Sequence, residues 1–283
     1  MEQRLSIRVL EENAPLLFER DEGVRIGIDG DIRDVGISVS DPRYAQIGKL
    51  QRKLERETKR PFFYGWNFEF KYTKAELSDA RAFELDVVEV AETAGENWGT
   101  LYDDSKACKR CGAGGIQVGP LVLNTRYIHK KKDVLRTWTN EVIVSRRTMD
   151  LFRRYRISGV SFKPVNSANN SKLKLTEWFQ LIVTFVGALI IPPTRVGNDP
   201  FDDDRRNKYR CSTGHLLGLS LLSEIWIDAC SVTKADIIAT QQYIGVRRDN
   251  SRPWQSLIVS PRVRELVIKE KIKGCGFKVV HLG

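Results

Sequence analysis

Residues 142 to 165, VIVSRRTMDLFRRYRISGVSFKPV, align without a gap on residues 257 to 280, LIVSPRVRELVIKEKIKGCGFKVV, with ten of the 24 positions identical. A chain that repeats itself at this distance has to place two like units, around one core or in two. Each copy reads as an apolar strand, a serine at a helix N-cap, an amphipathic helix, a glycine in a left-handed C-cap, and a departing apolar strand. Pro261 takes the first helical position of the second copy, where its missing N–H loses no hydrogen bond. At 3.6 residues per turn, Leu151, Phe152 and Tyr155 fall on one arc of the first helix, and Val263, Leu266 and Val267 on the matching arc of the second. Upstream, Lys131-x-Asp133-Val134-Leu135-x-Thr137 resembles Lys234-x-Asp236-Ile237-Ile238-x-Thr240. Capping chemistry alone gives any such unit several of these residues, so common descent and shared local chemistry both stay open.

Carried further upstream, the repeat sets Cys111 of Cys108-Lys109-Arg110-Cys111-Gly112 opposite Cys211 of Cys211-Ser212-Thr213-Gly214-His215. The first is a C-x2-C knuckle with a glycine behind it, whose turn aims backbone amides at thiolate sulfur; the second is C-x3-H. Zn2+ takes four soft or borderline ligands in a tetrahedron, and Cys108, Cys111, Cys211 and His215 supply four. With every position filled by protein, such a site is structural and clips together segments about a hundred residues apart. A redox dithiol at Cys108 and Cys111 is the competing chemistry. Cys230 and Cys275 read as structural thiols, and neither His129 nor His281 has a partner at ligand or triad spacing.

Paired knuckles that each lead into a strand, a serine-capped helix and a strand resemble the bacterial double-CxxCG motif proteins, over residues 100 to 283. The later knuckle ends in His215 where that pattern has cysteine and glycine. The resemblance implies a zinc-knuckle protein of the immunity kind, with a cognate protein partner such as a toxin.

Charge is distributed unevenly. Residues 1 to 100 carry 15 Lys+Arg against 20 Asp+Glu, and residues 101 to 283 carry 31 against 16. The basic part creates a field that attracts polyanions without choosing among nucleic acid, anionic lipid and an acidic protein face. Arg146, Arg147, Arg153, Arg154 and Arg156 lie opposite the apolar arc of the first repeat helix, and Lys130, Lys131 and Lys132 stand nearby in sequence. This is the expected polyanion-binding set; a solubilising helix surface explains it equally well.

The first forty residues alternate short apolar runs with turn signals and read as two or three strands. A helix is expected from Pro42 to Lys59, followed by an aromatic strand with Trp66, Phe68, Phe70 and Tyr72 on one face. Thr73 and Glu76 form a capping box, which predicts a helix from Lys74 to about Glu84. Trp178 to Ile191 reads as buried strands joined by a bend. The acidic loop 199–204 reads as a solvated turn, since the glycine and spacing of a calcium loop are missing. The expected fold is therefore α+β: an N-terminal β-rich segment over residues 1–100, with acidic balance, then a basic zinc-binding domain over 101–283. In that domain, duplicated strand-helix-strand units (about 108–165 and 209–280) are joined by a zinc-ribbon-like site.

No apolar run reaches the roughly 20 residues of a spanning helix, and Met1 to Arg8 is charged with no apolar segment behind it, so a cytoplasmic protein is expected. Nucleophile elbow, Walker loop, dinucleotide fingerprint and H-E-x-x-H are missing. Gly112-Ala113-Gly114-Gly115 lacks the lysine and serine of a phosphate loop and reads as the knuckle turn. The expected role is non-enzymatic: a zinc-containing binding protein acting on a protein partner, with nucleic-acid binding through the basic half as the alternative.

Overall fold

In the computed structural model, residues 1–91, 93–129, 131–168, 177–202, 209–218, 220–232 and 234–283 are described. The protein is mixed α+β and rich in strands. It divides into one unit of Met1–Asp79 with Asp199–Asp202, and a second of Ala80–Asn198 with Asp203–Gly283.

The first unit carries the strands read from the opening residues: β1 (Glu2–Leu10), β2 (Val24–Ile26) and β3 (Ile32–Ser38). Helix α1 (Tyr44–Thr58) and strand β4 (Phe63–Lys71) follow, then the short helix α2 (Lys74–Asp79). The antiparallel sheet runs β2-β3-β1-β4. Alternation puts Leu5, Ile7 and Val9 of β1 in the core with Val35 and Ile37 of β3. Arg33, 2% exposed, is buried there because Glu11 meets it with both carboxylate oxygens and the Glu19 carbonyl accepts from Nη1. Along β4, Phe68 is buried while Trp66, Phe70 and Tyr72 are half-buried. Phe201, from the acidic loop, packs on Tyr44 and Phe63. Asp203 and Asp204 of that loop lie outside the described residues.

The capping box forms as expected, with Glu76 accepting from the Thr73 N–H and the Thr73 hydroxyl accepting from the Glu76 N–H. The helix it starts does not reach Glu84. It ends at Asp79, and β5 (Ala82–Asp86) is a strand of the second unit, buried over its first four residues. The division between units accordingly falls after Asp79. Pairing on both edges of β5 outweighs the helical propensity of its Glu-Leu content.

In chain order the second unit continues with β6 (Val90–Ala91), β7 (Tyr102–Asp103), β8 (Ile116–Gln117), β9 (Val122–Leu123), β10 (Val134–Thr137), β11 (Val142–Ser145), α3 (Arg146–Arg154), β12 (Val160–Pro164) and β13 (Asn166–Ser167). Then come β14 (Trp178–Val183), β15 (Val186–Ala188), β16 (Val196–Gly197), β17 (Ser220–Leu221), β18 (Ile225–Ile227), β19 (Ile237–Thr240), β20 (Leu257–Val259), α4 (Pro261–Lys269) and β21 (Gly276–Leu282). Its two larger sheets run β12-β14-β11-β10-β6 and β15-β19-β20-β5-β21-β18.

With the second order read in reverse, β21-β5-β20-β19-β15 follows the pattern of β12-β14-β11-β10-β6, β18 being an extra edge strand, and the correspondence runs by exchange. Strand β5 precedes the first matched segment yet inserts between β20 and β21 of the second, while β14 precedes the second and inserts between β11 and β12 of the first. Registers agree: Gln180 stands between Ile143 and Lys163, and Glu84 between Ile258 and Lys278. Each inserted strand then runs on into the edge of the other sheet, β6 parallel to β10 and β15 parallel to β19. Phe83, Leu85 and Val90 correspond to Phe179, Leu181 and Val186. In this register Ala82 stands in the place of Trp178.

Helix ends refine the local reading. Ser145 caps α3, its hydroxyl accepting from the Thr148 N–H at 3.2 Å, whereas Ser260 sits at the N-cap of α4 without a capping bond and donates to Asp236 Oδ1 at 3.0 Å. The first residues at positive φ behind the helices are Arg156 (φ 50°) and Lys271 (φ 52°), with Gly159 (φ 88°) and Gly274 (φ 103°), also at positive φ, three residues further on. Gly159 and Gly274 serve close approach. A Cβ on Gly159 would lie 2.0 Å from the Ile237 carbonyl oxygen, and one on Gly274 2.0 Å from that of Val134.

Candidate metal centre

Two turns bring the four expected ligands together. In the first, the Gly112 N–H donates to the Cys108 carbonyl at 2.7 Å and the Cys108 N–H to the Ala113 carbonyl at 2.8 Å, with Gly112 at φ 76° and Gly114 at φ 88°. In the second, the Gly214 N–H donates to the Cys211 carbonyl at 3.0 Å and the Cys211 N–H to the His215 carbonyl at 2.9 Å, with Gly214 at φ 81°. Positive φ is what lets each chain fold back within a few residues and aim both side chains one way. One segment holds both turns: the Tyr243 carbonyl accepts from the Leu216 N–H at 2.8 Å, and the Arg247 N–H donates to the Cys111 carbonyl at 2.9 Å.

The Sγ atoms of Cys108, Cys111 and Cys211 and a ring nitrogen of His215 all lie within 4.8 Å of one another, and these four residues could hold a metal ion. Cys111 Sγ is 3.3 Å from His215 Nδ1. Tetrahedral zinc with bonds of about 2.3 Å to sulfur and 2.0 Å to nitrogen sets its ligand atoms about 3.5–3.8 Å apart, so the set fits with only small contraction. Cys111 and Cys211 are buried against Ala113, Leu217 and Tyr243, and the Tyr243 ring meets that of His215 edge-on at 5.7 Å. Backbone N–H groups of Cys111 and Arg110 stabilise the Cys108 thiolate, with help from His215, and bring its pKa down to about 6. Burial, with neighbouring sulfurs, pushes the Cys111 thiol up to about 12. A cation among these sulfurs would favour thiolate at all of them.

Two features escaped the sequence. Thr213 Oγ1 stands 3.0 Å from both Cys211 Sγ and His215 Nδ1, where a hydroxyl can orient the ligands. Arg252, 8% exposed, is held by Glu96 and by Asp104 Oδ1 at 2.8 Å, and Arg247 pairs with the same two acids. These ion pairs bind the approach to the first knuckle to the segment that supports both turns. The Arg252 guanidinium holds the Asp104 carboxyl at about 2.

The expected polyanion set is spread more widely. Arg153, Arg154 and Arg156 are exposed at the end of α3, as is Lys131. Arg146 lies over the Phe179 ring, and Lys132 pairs with Glu89. Arg147 reaches Asp133 Oδ2 at 3.4 Å and the Glu270 carbonyl, which commits its guanidinium to tying the two matched segments together. Lys130 lies outside the described residues. Cys275 is buried enough to push its thiol up to about 12, and His281 pairs with Glu224 at 2.8 Å. Among the described residues, no helix is long and apolar enough to cross a membrane. No protein-family model matches the chain, and comparison with curated proteins finds no match.

Proposed function

We propose that Cys108, Cys111, Cys211 and His215 hold one structural zinc ion in a zinc-ribbon-like site, and that the chain is a non-enzymatic binding protein of the immunity or antitoxin kind. The two halves of the second unit are copies of one ancestral strand-helix-strand module, and the metal clips them. The observation that carries this reading is the convergence of four protein ligands from two knuckles. A tetrahedral ion bound by all four would have no position left for water or substrate. With the metal as a clip, the function lies on the surface of the module it rigidifies.

A protein partner is supported by exposed apolar side chains on one stretch of sheet. Trp138 is 52% exposed and follows β10, and Val88 and Val90 are exposed beside it on the β6 side, where Val90 stands opposite Arg136. A large exposed aromatic among smaller apolar residues has the composition of an interface centre. The resemblance to double-CxxCG proteins points the same way. Exposed Arg153 and Arg154 on α3, with exposed Arg156 just beyond it, favour the second reading, nucleic-acid binding.

The test sets metal-loaded chain against labelled single- and double-stranded oligonucleotides over a salt series, and in parallel against a partner co-purified from the native cell. A protein whose retention survives high salt and is lost with Trp138→Ala supports the first reading. Submicromolar oligonucleotide binding that falls steeply with salt, and disappears when Arg146, Arg153 and Arg154 are changed to Glu, replaces it with the second.

A further inference from the structure

We propose that the cavity lined by both larger sheets of the second unit is a binding site for a small organic anion, a carboxylate or phosphate ester with an apolar body, whose charge is received by Arg136. The cavity measures about 280 Å³ and takes in residues of β10, β11, β14, β15, β19 and β20. That is room on the order of ten non-hydrogen atoms.

Arg136 is the unpartnered group in its wall. Its Nε is sealed from solvent and has no hydrogen-bond partner, and among the described residues the guanidinium makes no ion pair. The Trp254 ring lies 5.9 Å from its Cζ, and Glu84 and Asp86 act on it through space without a hydrogen bond or ion pair to it. Every other charge nearby is already engaged. Arg252 is neutralised by Glu96 and Asp104, and Glu141 accepts from the hydroxyls of Tyr102, Thr137 and Thr139. Asp86 pairs with Lys278 at 3.0 Å. Glu84 is buried, accepts from the Ser256 hydroxyl, and is pushed by burial toward its neutral form. A desolvated cation facing open space is unfavourable until an anion joins it, and a guanidinium offers a planar fork that suits carboxylate and phosphate oxygens.

The exchanged arrangement explains why there is space. Thr137 stands opposite Ala91 in one sheet and Thr240 opposite Ala188 in the other, which makes Ala239 the counterpart of Arg136. Both line the cavity, so a long cation on one side faces a methyl on the other. Leu181, Val183, Val186 and Leu257 supply apolar wall and Trp254 an aromatic face. An anchoring charge with apolar sides describes a site for an amphipathic monoanion.

The probes are benzoate and phenyl phosphate, titrated into the full metal-loaded chain by calorimetry and ligand-observed NMR, with benzyl alcohol as the neutral comparator. Saturable binding of at least one anion is expected, at least tenfold tighter than benzyl alcohol and at least tenfold weakened by Arg136→Met. Equal binding of benzyl alcohol, an unchanged affinity in Arg136→Met, or no saturable binding to the wild-type chain overturns the proposal. Should Arg136→Met fail to fold, Val186→Trp decides. Val186 lines the cavity and is itself 57% exposed, so the larger ring is accommodated and narrows the space. Loss of anion binding is then expected, and retention of it refutes the site.

Discussion

The carboxylate of Asp236 accepts the backbone N–H of Ser158 at 2.9 Å, reaching from one matched segment to the loop behind the helix of the other. Asp133 does the same in the opposite sense, accepting the Lys273 N–H at 3.0 Å. Each aspartate also takes the hydroxyl of its own segment's serine, Ser145 or Ser260, and the guanidinium of its own arginine, Arg147 or Arg262. Those arginines cross over in turn, Arg147 to the Glu270 carbonyl and Arg262 to that of Tyr155. Backbone bonds repeat the pattern, with the Val134 N–H on Lys273 and the Ile237 N–H on Ser158. The halves are joined by reciprocal contacts, so weakening one side loosens both.

Asp236→Asn tests the crossed bonds. Burial pushes the Asp236 carboxyl up, but hydrogen bonds from Ser158 and Ser260, with the charge of Arg262, outweigh it and leave the pKa below the ordinary value of 3.8. The unfolded chain then binds the proton more readily, so this stabilisation is complete above the unfolded pKa and disappears as pH falls through the folded one. Asp236→Asn should cost about 1–3 kcal/mol at neutral pH. Denaturant melts from pH 6 down to pH 3 should show a shallower acid decline than wild type; parallel curves would mean the carboxylate carries no net stabilisation.

Gly274→Ala and Gly159→Ala probe the close approach. Both positions have positive φ, and in both an added methyl meets a carbonyl oxygen of the other segment's strand at 2.0 Å. Each should lose more than about 2 kcal/mol in chemical denaturation. Gly276→Ala, with nothing within 4 Å of the added carbon, is the control and should stay near wild type.

The knuckles, the two helices behind Ser145 and Ser260 and the aspartates of the upstream match were legible because each depends on spacing a few residues long. The exchange of β5 and β14 was not. A strand that leaves its own segment to pair in the other keeps the same apolar pattern wherever it docks, so Phe83 and Leu85 give no sign of a destination. The same blindness extended the helix behind Thr73 to Glu84, since a capping box announces a start and says nothing of the end. Nothing in the local sequence marks Arg136. Only the register that sets it against Ala239 makes it distinctive.

Metal loss should unfold the clip. One zinc per chain is expected on elemental analysis, and Cys111→Ser or prolonged chelation should lower the melting temperature and broaden the transition, because ligands from distant segments converge only in the native state. Cobalt substitution should give the charge-transfer bands of thiolate ligation, reduced in Cys108→Ser, while His215→Ala should change the visible ligand-field bands. A metal-free chain with a sharp, unshifted melt would show that the four side chains are neighbours without a metal.

Glu84→Gln should stabilise the protein, an expectation that comes from comparing the halves. Gln180 occupies in one sheet the place of Glu84 in the other, each with an isoleucine on one side and a lysine on the other. Burial raises the Glu84 pKa above its ordinary 4.5, with Lys278 and Arg136 acting against that and Asp86 with it. The folded state therefore holds the proton longer than the unfolded one. Stability contributed by the protonated acid is complete below about 4.5 and declines as pH rises toward the folded pKa. Glutamine keeps the acceptor for the Ser256 hydroxyl and has no proton to lose. Melting temperatures recorded from pH 4 to pH 9 should converge with wild type at the acid end and exceed it at the alkaline end. A variant that melts lower throughout would show that the Glu84 charge is paired and needed in the fold.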